Sequence, residues 1–309
     1  MISSISSFKP LLLRLVVIAF LFALANMAVR GPIARRVDLP VEQLQHRVLN
    51  SAATILVVGD SHAQSVPFNS VEVLNLSSGG DSFAEMRSKL RFAGTRVPSL
   101  EYVLVPLDLH CFSGDRDRRN NFQQGVMWCS PSDYQQIYDE NYWKARYIHR
   151  MFPLINPVNA RLARRYLLHA AVPETQQPDW SALPDSERRR MAGSRFRANF
   201  AGGYSAGQAN QFRALLRDAE RFELRVVGVR FPVDEMYGEL VEEVAWREKA
   251  ERSWRGRLNG VIDFSSLPTQ ATDFVNQDHL RASSETAETV ARRIERACRE
   301  SQELRSNGR

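Results

Sequence analysis

ATILVVGDSH, residues 53–62, is the stretch on which the reading of the whole chain turns. Residues 53–58 form a nearly continuous apolar run that stops at Gly59, the pattern of a strand buried on both faces. Working outward, residues 71–76, 102–107, 224–229 and 261–264 repeat that pattern. Between them, residues 83–92 read as a helix, and Phe212, Leu215, Leu216, Ala219 and Phe222 fall at helical spacing. A charged helix is expected from about 234 to 254. Ala287, Val290, Ala291, Ile294, Ala297 and Cys298 form one stripe of a last helix, with Ser283 and Ser284 placed to cap it. Strands separated by helical patterns predict an α/β fold, a parallel sheet of about five strands between helices.

Ahead of this domain, residues 10–29 read PLLLRLVVIAFLFALANMAV, interrupted only by Arg14 and Asn26. Twenty helical residues span about 30 Å, enough to cross a bilayer core. Ala23-Leu24-Ala25 also offers a signal-peptide cleavage site, so residues 1–29 are a membrane anchor or a signal segment. Arg30, Arg35 and Arg36 favour a cytoplasmic flank. A short N-terminal anchor and Cys111 with Cys129 favour export, and export to the periplasm or beyond is the expectation. Residues 30–50 are read as a linker and short helix, and residues 51–309 as one domain. Residues 111–203, rich in arginine and aromatics, break the strand–helix rhythm and read as a helical insertion after the third strand. Open α/β sheets place ligands at that edge, so the insertion is expected to form a lid or substrate wall. Its Tyr142, Trp143, Tyr147 and Tyr166, with Arg146, Arg150, Arg164 and Arg165, suit aromatic platforms and anion contacts for a glycan, or a small core with a solvated face.

Composition removes several classes. The 309 residues carry a formal charge of +6, but only Lys9, Lys89, Lys144 and Lys249 are lysines and no dense basic run or nucleic-acid motif is present. Three cysteines are too few for a disulfide scaffold, and none stands at zinc spacing. The odd count suggests one bridge, Cys111–Cys129, with Cys298 a buried thiol on the last helix. None of the six histidines forms an HExxH pattern, and no metal or cofactor is expected. His46, His149 and His169 sit in helical contexts and read as surface or core.

Two short motifs carry the chemistry. Gly59-Asp60-Ser61-His62 puts a hydroxyl at a sharp turn after a buried strand, where it can attack a carbonyl. Asp278-His279 precedes the last helix and returns to the same sheet edge. This combination resembles the SGNH (GDSL) hydrolase superfamily over residues 51–110 and 205–300. The resemblance implies a three-layer, doubly wound, flavodoxin-like sheet, with Ser61 as nucleophile and His279 as general base. It implies an oxyanion site from the Ser61 N–H and the Ser78-Gly79-Gly80 turn, through Gly79 or Gly80. Two positions depart from it. Asp108 stands where the family has an asparagine donor, and an ionised carboxylate cannot donate. Asn276 stands where the family has the aspartate that orients the base. Asp278, adjacent to His279, is expected to point away in an extended loop, leaving Asn276, or Asp273 further back, to orient the ring. Asp60, His62, Asp108 and His110 are candidate pocket residues.

An exported domain of this kind on a single anchor resembles bacterial envelope proteins that transfer or remove acetyl groups on polysaccharides. The implied activity is serine-dependent acyl transfer, with O-acetyl esterase activity or an inactive glycan-binding scaffold as alternatives. The implied partners are a polysaccharide acceptor, the inner membrane through residues 10–29 and a polytopic membrane acyltransferase as donor, with no nucleic acid.

Overall fold

The computed structural model describes residues 8–117, 121–155, 160, 164 and 178–306. The apolar runs become β1 (Ile55–Val57), β2 (Val73–Asn75), β3 (Tyr102–Pro106), β4 (Arg225–Arg230) and β5 (Gly260–Asp263). These strands run parallel in the order β2-β1-β3-β4-β5. β3 is buried along its whole length, as a strand with a neighbour on each side requires. Because β1 pairs with β3, the loops that leave Val57 and Pro106 emerge side by side.

The chain begins in α1 (Phe8–Leu49), whose segment Leu11–Pro32 is long and apolar enough to cross a membrane or to act as a signal sequence. The expected linker after residue 30 is instead a continuation of this helix through Pro32 and Pro40. Each proline forfeits one intrahelical bond and crowds the preceding turn, while the helix on both sides gains a bond per residue. α2 (Ser61–Gln64) follows β1, and α3 (Phe83–Gly94) follows β2 behind a reciprocal Ser82–Glu85 capping box. After β3 come α4 (Phe122–Trp128), α5 (Pro131–Tyr138) and α6 (Asp185–Phe200). α7 (Ala206–Arg221) leads into β4 and packs on α3, with the Phe83 and Phe212 rings 4.9 Å apart. The charged helix expected over 234–254 is two, α8 (Glu235–Glu242) and α9 (Arg247–Glu251). The break between them lets both Val244 and Trp254 reach the interior.

α10 (Glu285–Ser306) closes the fold, its first turn capped by Ser284. Its Ala287, Val290, Ala291, Ile294 and Cys298 join Ile55, Val57, Tyr102 and Leu104 in one buried cluster. Leu56, Val103 and Val105 point to the other side of the same strands and are equally buried. Just before α10, the expected loop is a two-stranded antiparallel hairpin, β6 (Phe274–Asn276) and β7 (His279–Leu280).

The chain divides into two compact units, Met1–Gln43 with Glu140–Gln176 and Leu44–Asp139 with Gln177–Arg309. Of the expected insertion, residues 111–203, the stretch Glu140–Gln176 falls in the first unit and the remainder in the second. In the first unit, Arg150 pairs with Asp38 and the Leu154 N–H donates to Asn26 Oδ1 at 2.9 Å. In the second, the Gly114 N–H donates to the Gly203 carbonyl and the Ser205 N–H to the Phe112 carbonyl, each at 2.8 Å, drawing the chain back to the exit of β3.

The expected Cys111–Cys129 disulfide is not formed, and all three cysteines are free thiols. Cys111 lies on a short 3-10 turn, where its Sγ faces Asp60 Oδ2 at 4.0 Å, while Cys129 ends α4.

Gly59 is where the core and the first motif meet. A Cβ there would stand 2.6 Å from Ala63 Cβ and 3.2 Å from Ser77 Oγ, both in closely packed surroundings. Gly59→Ala is expected to cost about 1–3 kcal/mol through overpacking. Urea denaturation followed by circular dichroism measures this, and an unchanged midpoint contradicts the packing described.

Candidate active site

The turn after β1 is built on Asp60. Its Oδ1 accepts the His62 N–H at 3.1 Å and so caps α2, which presents Ser61 half-buried at the first helical position. Its Oδ2 takes the His110 Nε2 at 2.6 Å and the Arg116 guanidinium at 2.5 Å. Burial raises the pKa of such a carboxyl, but the charges of Arg116 and His62 and the hydrogen bond from His110 hold Asp60 well below the usual range. Burial, reinforced by the Arg116 charge, pushes His110 down, so His110 is a neutral ring donating its Nε2–H to Asp60.

His279 comes from the hairpin. Asn276 Oδ1 accepts the N–H groups of Asp278 at 3.2 Å and His279 at 3.1 Å, folding the intervening residues into a tight turn. The same oxygen lies 2.8 Å from His279 Nδ1. Contrary to expectation, Asp278 does not point away, and its Oδ1 is also 2.8 Å from His279 Nδ1. Strand alternation does not govern a residue inside a two-residue hairpin turn, so neighbours 278 and 279 face one another. Two oxygens at Nδ1 fix the proton there and leave Nε2 with a free lone pair. Asp273, the further alternative, bonds instead to the Gln270 N–H at 2.8 Å.

The Asp278 side chain is fully buried, and its Oδ2 takes the Arg195 Nε at 2.7 Å. Burial would raise its pKa, but hydrogen bonds to His279 and His62 hold it well below the usual range. The ring of His62 lies across that of His279 at 5.3 Å, edge to face. His62 Nδ1 is 2.9 Å from Asp108 Oδ2, and its Nε2 is 3.8 Å from Asp278 Oδ2. Although burial opposes its charge, Asp60 and the bonds to Asp108 and Asp278 raise His62 to about 10. His62 is thus an imidazolium clamped between two carboxylates.

Asp108 is an acceptor on both oxygens, since Oδ1 takes the Phe231 N–H at 3.1 Å. It supplies no donor to a reacting carbonyl. In the glycine turn, the Gly79 N–H donates to Gln64 Oε1 at 2.9 Å, and Gly80 adopts a φ of 84° that favours glycine. Lys89, wholly buried, braces this turn by donating to the Leu76 carbonyl and to Ser78 Oγ and by pairing with Asp81.

The structure thus gathers Ser61, His62, Asp108, Asn276, Asp278 and His279 at one sheet edge. His62, Asp108 and His110 also line a cavity of about 290 Å³ with Phe231 and Tyr237, whereas Asp60 lies behind it. Among the described residues the Ser61 hydroxyl has no hydrogen bond to the His279 ring, whose hydrogen bonds run through Nδ1. His46 is exposed and His149 is buried in the other unit. His169, Tyr166 and Arg165 lie outside the described residues. Sequence reasoning missed Arg116, Arg195 and Gln64, none of which belongs to a motif or spacing that marks it.

Two groups bring three possible metal ligands within 4.8 Å, Asp60–His62–His110 and His62–Asp278–His279. In both, His62 is held as a cation and an arginine already neutralises the carboxylate. The donor set therefore fits an ion-pair and proton-handling network better than a metal site.

The raised pKa of His62 has a defined signature. Its contribution to stability is complete below the unfolded value of about 6.5 and is lost as pH rises toward about 10. Wild type is therefore expected to lose stability across that window, and His62→Gln to show a flatter profile. Urea midpoints measured from pH 6 to 10 test this, and parallel profiles contradict a charged His62.

No family model and no curated protein matches this chain.

Proposed function

We propose that this chain is a membrane-anchored serine acyltransferase of the SGNH type, moving acetyl groups onto an envelope or extracellular polysaccharide. The observation that carries this reading is the pair of oxygens, from Asp278 and Asn276, at 2.8 Å from His279 Nδ1. That arrangement makes Nε2 a base at the sheet edge where Ser61 is presented. The strand order supports the three-layer, doubly wound, flavodoxin-like architecture that the resemblance implies.

In this reading Ser61 Oγ attacks the ester carbonyl as its proton passes to His279 Nε2. The tetrahedral intermediate collapses, the donor alcohol leaves with that proton, and an acetyl ester remains on Ser61. A sugar hydroxyl then attacks the ester, gives its proton to His279 and leaves acetylated, while Ser61 recovers its hydrogen. Asp278 and Asn276 stabilise the imidazolium formed in each half. Arg195, from α6, pairs with the buried Asp278 carboxylate from the side away from the His279 ring contact, through Oδ2. Within their own unit, Trp143 and Tyr147 expose rings stacked 5.7 Å apart and 9° from parallel, aromatic surface of the kind that takes a sugar ring. Leu11–Pro32 supports a membrane anchor; in this reading the anchor lies in the inner membrane, the domain lies in the periplasm or outside, and a polytopic membrane acyltransferase is the acyl source. Hydrolysis is the second reading, favoured by the partial exposure of Ser61, which admits water as acceptor.

The test uses the purified full chain in detergent with 4-nitrophenyl acetate as donor and oligosaccharides as acceptors. Ser61→Ala and His279→Ala are each expected to abolish turnover, and the double variant to be no worse than either. Asp278→Asn is expected to lower kcat by about 10²–10⁴, by analogy with loss of the carboxylate in a serine triad. Acetylated oligosaccharide supports transfer, and acetate alone supports hydrolysis. Full activity in Ser61→Ala contradicts both.

A further inference from the structure

Attack at Ser61 converts a carbonyl oxygen into an oxyanion, which needs donors at about 2.7–3.1 Å. Near Ser61 the side-chain donors are few. Asp108 accepts on both oxygens, and the Gly79 N–H is already bonded to Gln64 Oε1 at 2.9 Å. Gln64 stands three residues beyond Ser61 on α2, so the two side chains share one side of that single turn. A Cβ built on Gly79 would lie 3.4 Å from Gln64 Oε1 and 3.7 Å from Ser61 Cβ, so both residues flank the same glycine. The Gln64 side chain is exposed, and among the described residues its amide nitrogen has no partner.

We propose that Gln64 is a catalytic residue that supplies the side-chain oxyanion donor for acyl transfer at Ser61, an inference that rests on the serine reading above. The Gly79 N–H holds the carboxamide by its oxygen and so fixes the plane of the group. Accepting a hydrogen bond through that oxygen polarises the amide and makes its NH2 a stronger donor. The developing negative charge is shared between the Gln64 NH2 and the Ser61 N–H. The Gly79 N–H acts through Gln64 rather than on the substrate, a different use of the glycine turn from a direct backbone contact. The opposite role for the same contact, a plug that must leave before substrate enters, makes the opposite kinetic forecast.

Gln64→Ala and Gln64→Glu separate these roles, because glutamate keeps the shape and the acceptor oxygen but, ionised, has no donor. Turnover of 4-nitrophenyl acetate by the full chain is measured beside mass-spectrometric labelling of Ser61 by a fluorophosphonate, with thermal melting as the folding control. Both variants are expected to melt like wild type, to lose about 10²–10³ in kcat with little change in KM, and still to label at Ser61 after long exposure. Labelling at Ser61 with unchanged kcat overturns the donor role alone. Labelling with faster turnover in Gln64→Ala overturns it in favour of the plug. Failure of the wild-type protein to label, with turnover persisting in Ser61→Ala, overturns the serine reading and this inference with it.

Discussion

The buried Asp278 carboxylate is the constraint around which the rest of the site is arranged. A fully buried anion is costly unless paired, and removing one partner of such a pair typically costs about 3–5 kcal/mol. Asp278 draws its partners from three separate elements, His279 from the hairpin, His62 from α2 and Arg195 from α6. Satisfying that one charge therefore brings His279, the residue next to Ser61 and a distant helix together. Asp60 plays the same part beside Ser61, with His110 and Arg116 as partners and the cap of α2 as its mechanical consequence. His62 joins the two systems because its charge answers Asp60, Asp108 and Asp278 together.

This arrangement also separates the tasks of two neighbouring histidines. His62 is locked as a cation between carboxylates and has no lone pair to offer. His279 keeps its proton on Nδ1, where two oxygens meet it, and presents Nε2. A similar division holds among the acceptors. Asp278 and Asn276 orient the His279 ring, whereas Asp108 orients His62 and the start of the loop after β4.

Much of the fold was legible because buried parallel strands leave short apolar runs, and those at 53–58, 102–107 and 224–229 locate β1, β3 and β4 within a few residues. The apolar stripe of α10 was equally plain. Prolines at 32 and 40 argued for a linker, since local propensity cannot register how strongly the helix on either side propagates. The break between α8 and α9 depends on burying Val244 and Trp254, which is a tertiary demand. Ser61 and His279 were legible by position relative to the strands and the last helix. The orientation of Asp278 was not, because it follows from Asn276 folding the hairpin turn. Arg116 and Arg195 answer buried charges from distant positions in the chain, and no local pattern records such a pairing. Cys111 looked like half of a bridge but serves as packing beside the Asp60 network.

The central claim is that an acyl group rests on Ser61 during turnover. Its most direct test is to quench the full chain in acid while it turns over 4-nitrophenyl acetate and to map acetylation by peptide mass spectrometry. The account predicts an acetyl ester on Ser61 that decays when acceptor is added. Continued turnover with Ser61 unmodified, or with the acetyl group carried on another residue, contradicts it.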